Sequence, residues 1–103
     1  MGLLSILGLG NSIKDLLRKG AAIIDVRTAH EFDEGKINGS INIPVDRMSI
    51  NIERIRGLRK PLVICGYSYS ENEKAINILK ANGIKNAYNA GSWIKVLKMI
   101  KSL

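Results

Sequence analysis

An α/β domain on a largely parallel sheet is the fold class this sequence predicts, and three observations carry that expectation. Short apolar runs suited to buried strands alternate with segments of helical periodicity. The run Ala21 to Val26 is broken only by Asp25 near its end, as expected of a strand covered on both faces. With 103 residues and 46% hydrophobic content, the chain suits one compact domain with a modest core. That domain is expected over residues 12–103, with residues 1–11 as an apolar arm. No linker or internal repeat interrupts it.

Ser12 to Lys19 reads as a first helix, with Ser12 as its cap, Ile13, Leu16 and Leu17 on one face and Gly20 as the stop. The strand Ala21 to Val26 follows. Thr28 and Glu31 then form a capping box that starts a brief helical turn closed by Gly35. Ser40 to Pro44 alternates in polarity and ends at proline, which marks a short strand near an edge. Met48, Ile52 and Ile55 indicate a small helix, and Leu62 to Cys65 a second buried strand. Ser70 and Glu73 have the spacing of another capping box, so the next helix is expected to start at Ser70. Its apolar positions are Ala75, Ile76 and Leu79, with Ile78 and Ala81 beside them, and Asn82 and Gly83 end it. Asn86 to Ala90 is a further short strand. The last helix carries Trp93, Val96, Leu97 and Ile100 as a buried stripe opposite Lys95, Lys98 and Lys101. Trp93 is read as core.

The only cysteine, Cys65, ends the strand begun at Leu62 and precedes the loop Gly66, Tyr67, Ser68, Tyr69, Ser70. Loop amides and the positive end of the following helix are expected to converge on its sulfur and favour thiolate, the form that attacks. The same position suits a cysteine that is only a small buried hydrophobe. From this segment alone both readings stand. Parallel-sheet topology puts ligands beyond the carboxyl ends of strands, and Asp25 is expected on the same rim as Cys65.

A single cysteine excludes an internal disulfide and dithiol redox chemistry, and no Cys/His spacing fits a zinc site, so neither metal nor cofactor is expected. Met1 to Gly10 lacks a basic leading region and is too short to span a bilayer, so the protein is read as cytoplasmic. Ile6 stands where a myristoylation motif needs Ser or Thr. The leucines of this segment could support dimerisation or weak membrane contact, and a monomer or weak dimer is expected. Sixteen Lys and Arg against nine Asp and Glu leave a net charge of +7, which attracts anions. The cations are dispersed, with Arg54, Arg56, Arg59 and Lys60 flanking a turn. Solvated faces are therefore the default, and a nucleic-acid surface is the minority reading.

Asp25, Val26, Arg27, Glu31, Phe32, Gly35, Ile37, Gly39, Ser40, Asn42, Ile43 and Pro44 reproduce, in order and spacing, D-V-R-x-x-x-E-F-x-x-G-x-I-x-G-S-x-N-I-P. This resembles the segment that opens a rhodanese domain. Cys65 falls where that family carries its active-site cysteine, and the resemblance covers residues 12 to 101. It implies a rhodanese-like α/β fold, with a central mostly parallel sheet flanked by helices. It also implies transfer of a sulfane sulfur from a donor such as thiosulfate to Cys65 and onward to a thiol or cyanide. Gly66 to Ser70 would then cradle the persulfide and a small anionic donor through their amides, while Asp25 and Arg27 brace the rim. With no second cysteine, discharge would need glutathione, thioredoxin or another protein's thiol.

The family's active loop often has glycine at the fourth position, where this chain has Ser68, and arginine or serine at the sixth, here Ser70. No Arg or Lys lies between Cys65 and Ser70, so a charged clamp for the donor is missing. A phosphatase of related fold needs an arginine where Glu71 stands, and that carboxylate would repel a phosphate. A binding module using Tyr67 and Tyr69 with an idle cysteine is the alternative of another class, and redox sensing at Cys65 a third. His30, the only histidine, is read as a surface residue.

Overall fold

The computed structural model of the chain describes residues 9–103, with side-chain surroundings from residue 13 onward. The arm expected over residues 1–11 lies mostly outside the described residues. Helix α1 spans Leu9–Arg18 and is followed by β1 (Ala22–Asp25), α2 (Ala29–Glu34) and β2 (Ile41–Asn42). Two short 3-10 turns, Val45–Arg47 and Ser49–Asn51, lead into α3 (Ile52–Arg56). Strand β3 (Leu62–Gly66), helix α4 (Tyr69–Ala81), β4 (Ala87–Ser92) and α5 (Trp93–Lys101) complete the chain.

All strand pairs are parallel, in the order β2-β1-β3-β4. The expected α/β class is therefore observed. β3 is central and buried at all five positions because both its faces are covered. Side chains alternate along a strand, and the two core layers follow that parity. Leu62 and Ile64 join Ile24, Met48, Ile55 and the α4 residues Ala75, Ile76 and Leu79 on one face. Val63 and Cys65 join Ile13, Ile37, Ala90 and Val96 on the other, under α1 and α5.

The Thr28/Glu31 capping box forms: the Glu31 amide donates to Thr28 Oγ1 at 3.2 Å and the Thr28 amide to Glu31 Oε1 at 3.0 Å. β2 is the short edge strand expected before Pro44. Two helix starts differ from expectation. α1 begins at Leu9, so Ser12 lies within it. A serine inside a helix costs at most about 0.7 kcal/mol relative to alanine, too little to force a boundary. α4 begins at Tyr69, capped by Ser68, whose Oγ accepts from the Glu71 amide at 3.3 Å. Ser70 therefore lies in the first turn, and Glu73 accepts from Asn89 Nδ2 at 2.8 Å instead of completing a box. A partner on β4 has displaced the local one. The expected stripe on α5 is present, with Val96 buried and Trp93, Leu97 and Ile100 packed beside it.

Candidate functional site

Parallel registration sets Asp25 opposite Cys65, so the two share the carboxyl rim of the sheet as expected. Arg27 turns back on Asp25 and consumes it. Arg27 Nε lies 3.0 and 3.1 Å from the two carboxylate oxygens, and Nη2 lies 2.8 Å from Oδ2. The Arg27 amide also donates to Oδ1 at 3.0 Å. The rest of the guanidinium donates to Glu31 O (3.1 Å) and Gly35 O (2.6 Å), and its plane lies 4.2 Å from the Trp93 ring centroid. Asn42 Nδ2 ties in β2 by donating to the carbonyls of Asp25 and Arg27. Arg27 thus fastens β1, α2 and α5 together and leaves no free fork for a substrate anion.

On the opposite side of Cys65 the buried polar centre is a neutral amide. Asn72, 0% exposed, donates through Nδ2 to Asn89 Oδ1 (3.0 Å), Gly91 O (2.9 Å) and Ile64 O (3.5 Å). These acceptors orient the amide and leave its Oδ1 without a hydrogen-bond donor among the described residues. That oxygen faces Gly66: a Cβ built there would lie 2.7 Å from Asn72 Oδ1 and 3.0 Å from Val26 Cγ2. Glycine at 66 is a steric requirement. Asn89 extends the network to Tyr69 O at 2.9 Å and to Glu73.

Between these flanks sits the thiol. Cys65 is 0% exposed, and its side chain joins the apolar layer under α1 and α5 while α4 packs on the other face. The expectation that the start of α4 would favour thiolate is corrected. Burial, and after it the Asp25 charge, push the Cys65 thiol up to about 12, with Arg27 only partly opposing them. In this conformation it is a protonated, sealed thiol.

The loop that follows presents a row of backbone amides. The amides of Tyr67 and Ser68, and those of Tyr69 and Ser70 in the first helical turn, have no acceptor among the described residues. Ser68 Oγ and Ser70 Oγ lie 3.3 Å apart. Tyr67 and Tyr69 are each 61% exposed. Hydrogen bonding toward the Glu31 carboxylate pushes the Tyr67 phenol up. Tyr67 borders two clefts, one of about 640 Å³ shared with Tyr88, Ser92 and Lys95, and one of about 360 Å³ shared with Arg27 and Glu71. Cys65 lines neither. His30 is a surface residue, 3.8 Å from Glu34. Among the described residues no cluster of His, Cys, Asp or Glu could hold a metal ion, and no helix is long and apolar enough to cross a membrane.

Sequence reasoning missed Asn72 and Asn89 and assigned Trp93 only to the core. Asn72 carried a signal, because it falls on the spacing of Ala75, Ile76 and Leu79 and is thus a polar residue on a buried stripe. Nothing local distinguished Asn89 or the Arg27 stack on Trp93.

A sequence model of the family described as Rhodanese-like domain matches residues 10–96. No curated protein matches the chain. Among solved structures, the human single-domain sulfurtransferase TSTD1 is 26% identical with a TM-score of 0.69, over 85% of this chain and 91% of that one. The reduced CoADR-RHD of Bacillus anthracis is 27% identical with a TM-score of 0.70, over 89% of this chain and 16% of that much longer one. An Escherichia coli rhodanese with anions, 22% identical over 74% of this chain and 91% of its own, shares the fold with a TM-score of 0.65.

Proposed function

The chain belongs to the rhodanese-like domain family, and from that premise we propose that it is a sulfurtransferase working through a persulfide on Cys65. The observation that carries this reading is the row of amides without acceptors, Tyr67 to Ser70, following the only cysteine at the carboxyl end of the central strand. The similarity to a single-domain sulfurtransferase supports it.

In the proposed cycle the Cys65 thiolate attacks the outer sulfur of thiosulfate, the sulfur–sulfur bond breaks, and sulfite leaves with the bonding pair. An acceptor thiolate then attacks the outer sulfur of the persulfide, takes it, and releases the Cys65 thiolate. Gly66 to Ser70 supply dipoles for the anionic donor and terminal sulfur, because no cation stands in the loop. Asp25 and Arg27 brace the rim. The thiol must leave its apolar layer to ionise, so turnover proceeds from a minor open arrangement of the loop, and the rate is reduced by the fraction open. Glutathione, thioredoxin or another protein's thiol serves as acceptor. A cytoplasmic, reducing setting, a monomer or weak dimer, and one domain over residues 12–103 complete the proposal.

A second reading, a binding module with an idle cysteine, draws on the sealed thiol and the exposed Tyr67 and Tyr69. Intact mass spectrometry of the reduced protein after thiosulfate or polysulfide decides between them. A gain of one sulfur that dithiothreitol removes, present in the wild type and missing from Cys65→Ser, is expected. No gain with either donor would favour the binding module.

A further inference from the structure

At the amino ends of β3 and β4, opposite the Cys65 rim, the fold closes a cleft of about 320 Å³ around cations that are far apart in sequence. Arg56, Arg59 and Lys60 come from the end of α3 and the turn after it, and Lys85 from the turn before β4. No carboxylate lines the cleft, and its apolar floor is Ile55, Leu62 and Ile84. The walls are tied together: Asn86 Nδ2 donates to Lys60 O at 3.2 Å and the Leu62 amide to Asn86 O at 2.9 Å. Arg56 is positioned by Glu53 at 3.3 Å and donates to Asn82 O at 3.2 Å, whereas Arg59, Lys60 and Lys85 have no ion-pair partner among the described residues. Arg59 is the one non-glycine described residue with positive φ, at 52°, a left-handed conformation that side chains other than glycine seldom take. The amides of Lys60 and Lys85 also lack acceptors among the described residues.

We propose that this cleft binds a compact anion of two or three linked phosphoryl groups, either free or carried on a nucleotide. Three cations unpaired among the described residues, Arg59, Lys60 and Lys85, lining one concavity beside Arg56 suit several negative charges held close together, and an arginine fork matches phosphoryl oxygens. The volume lies at the small end of ligand sites. No aromatic ring lines it for a base to stack on, so recognition rests on the phosphates. The site is separate from the sulfur chemistry, and Cys65→Ser should bind as the wild type does.

The test is amide-resolved NMR titration of the full chain at about 0.1 M salt, where exposed long-range attraction is largely screened, using tripolyphosphate, pyrophosphate, ADP, citrate and a short RNA. Tripolyphosphate should shift the amides of residues 56–60 and 83–86 first, with pyrophosphate and ADP equal within about threefold. Citrate should bind about tenfold more weakly, because it lacks phosphoryl geometry. A Lys60→Gln/Lys85→Gln variant with unchanged melting should lose at least tenfold in affinity, as charge-assisted contacts are lost. Equal shifts around Lys95, Lys98 and Lys101, or citrate equal to tripolyphosphate, would reduce the cleft to general anion attraction and overturn the proposal. ADP far tighter than pyrophosphate, or RNA tighter than either, would overturn it in favour of a base-reading or polymer-binding surface.

Discussion

The two flanks of Cys65 are braced by different physics. On the β1 side a buried ion pair, Asp25 with Arg27, has every guanidinium group committed to a carboxylate or a carbonyl. On the β4 side Asn72 and Asn89 join three elements through neutral amides, the chain ending on the part-buried Glu73 carboxylate, and one acceptor, Asn72 Oδ1, is left over. A buried charge without its partner is far more costly than a buried amide without one. Removing one partner of the ionic flank is thus expected to cost more than removing one amide, and the amide flank packs directly on the loop from Gly66.

Breaking the ionic flank should give the largest effect. Arg27→Met leaves Asp25 buried and unpaired, and urea unfolding should show a loss of about 3–5 kcal/mol. Restoring neutrality with Asp25→Leu in the same chain should recover most of it, since a buried pair replaced by apolar groups is often near neutral. If the double variant is no more stable than the single, charge is not what makes this flank indispensable.

Gly66→Ala tests the amide flank from the loop side. The added methyl meets Asn72 Oδ1 and Val26, and overpacking of this kind costs about 1–3 kcal/mol. Coupling with Asn72→Ala, read from a double-mutant cycle of melts, should be favourable because the second change removes the obstructing oxygen. Asn72→Ala alone should cost about 1–2 kcal/mol, since Asn89 Oδ1 and Gly91 O each lose a donor. It should also raise the rate at which iodoacetamide modifies Cys65, a sign that the flank restrains the loop. Unchanged labelling would separate the network from the thiol.

The effect that is smallest at neutral pH, and grows only in alkali, is the pH dependence of the thiol. Its folded value, about 12, lies above the unfolded value of 9.0, so the native state keeps a proton that the unfolded state releases. Stability from this group is complete below about pH 9 and is lost as pH rises toward 12, at about 1.4 kcal/mol per unit. Comparing wild type with Cys65→Ala over that range isolates the effect. Parallel curves would mean that the thiol ionises freely in the folded protein.

Much of the fold could be read locally. The Thr28/Glu31 box lies within four residues and formed as expected, and the buried runs at Ala22 and Leu62 became the two inner strands. The Ser70/Glu73 box met the same criteria and failed, because Asn89, sixteen residues from Glu73, offered its carboxylate another partner. The candidate site was legible as positions: Cys65, the loop behind it and Asp25 do share one rim. Their chemical state was not.

The sequence by itself determined the order of elements, the alternation that groups Cys65 with Val63, and the segment that marks the family. Only the tertiary structure decided which helices cover that side of β3, and hence that the thiol is sealed beneath α1 and α5 and held protonated. It also decided that Asn72 would be a buried hub and that Lys85 and Arg59 would line one cleft. Periodicity and capping depend on neighbours a few residues apart, whereas burial, pKa and charge convergence depend on groups brought together from distant parts of the chain.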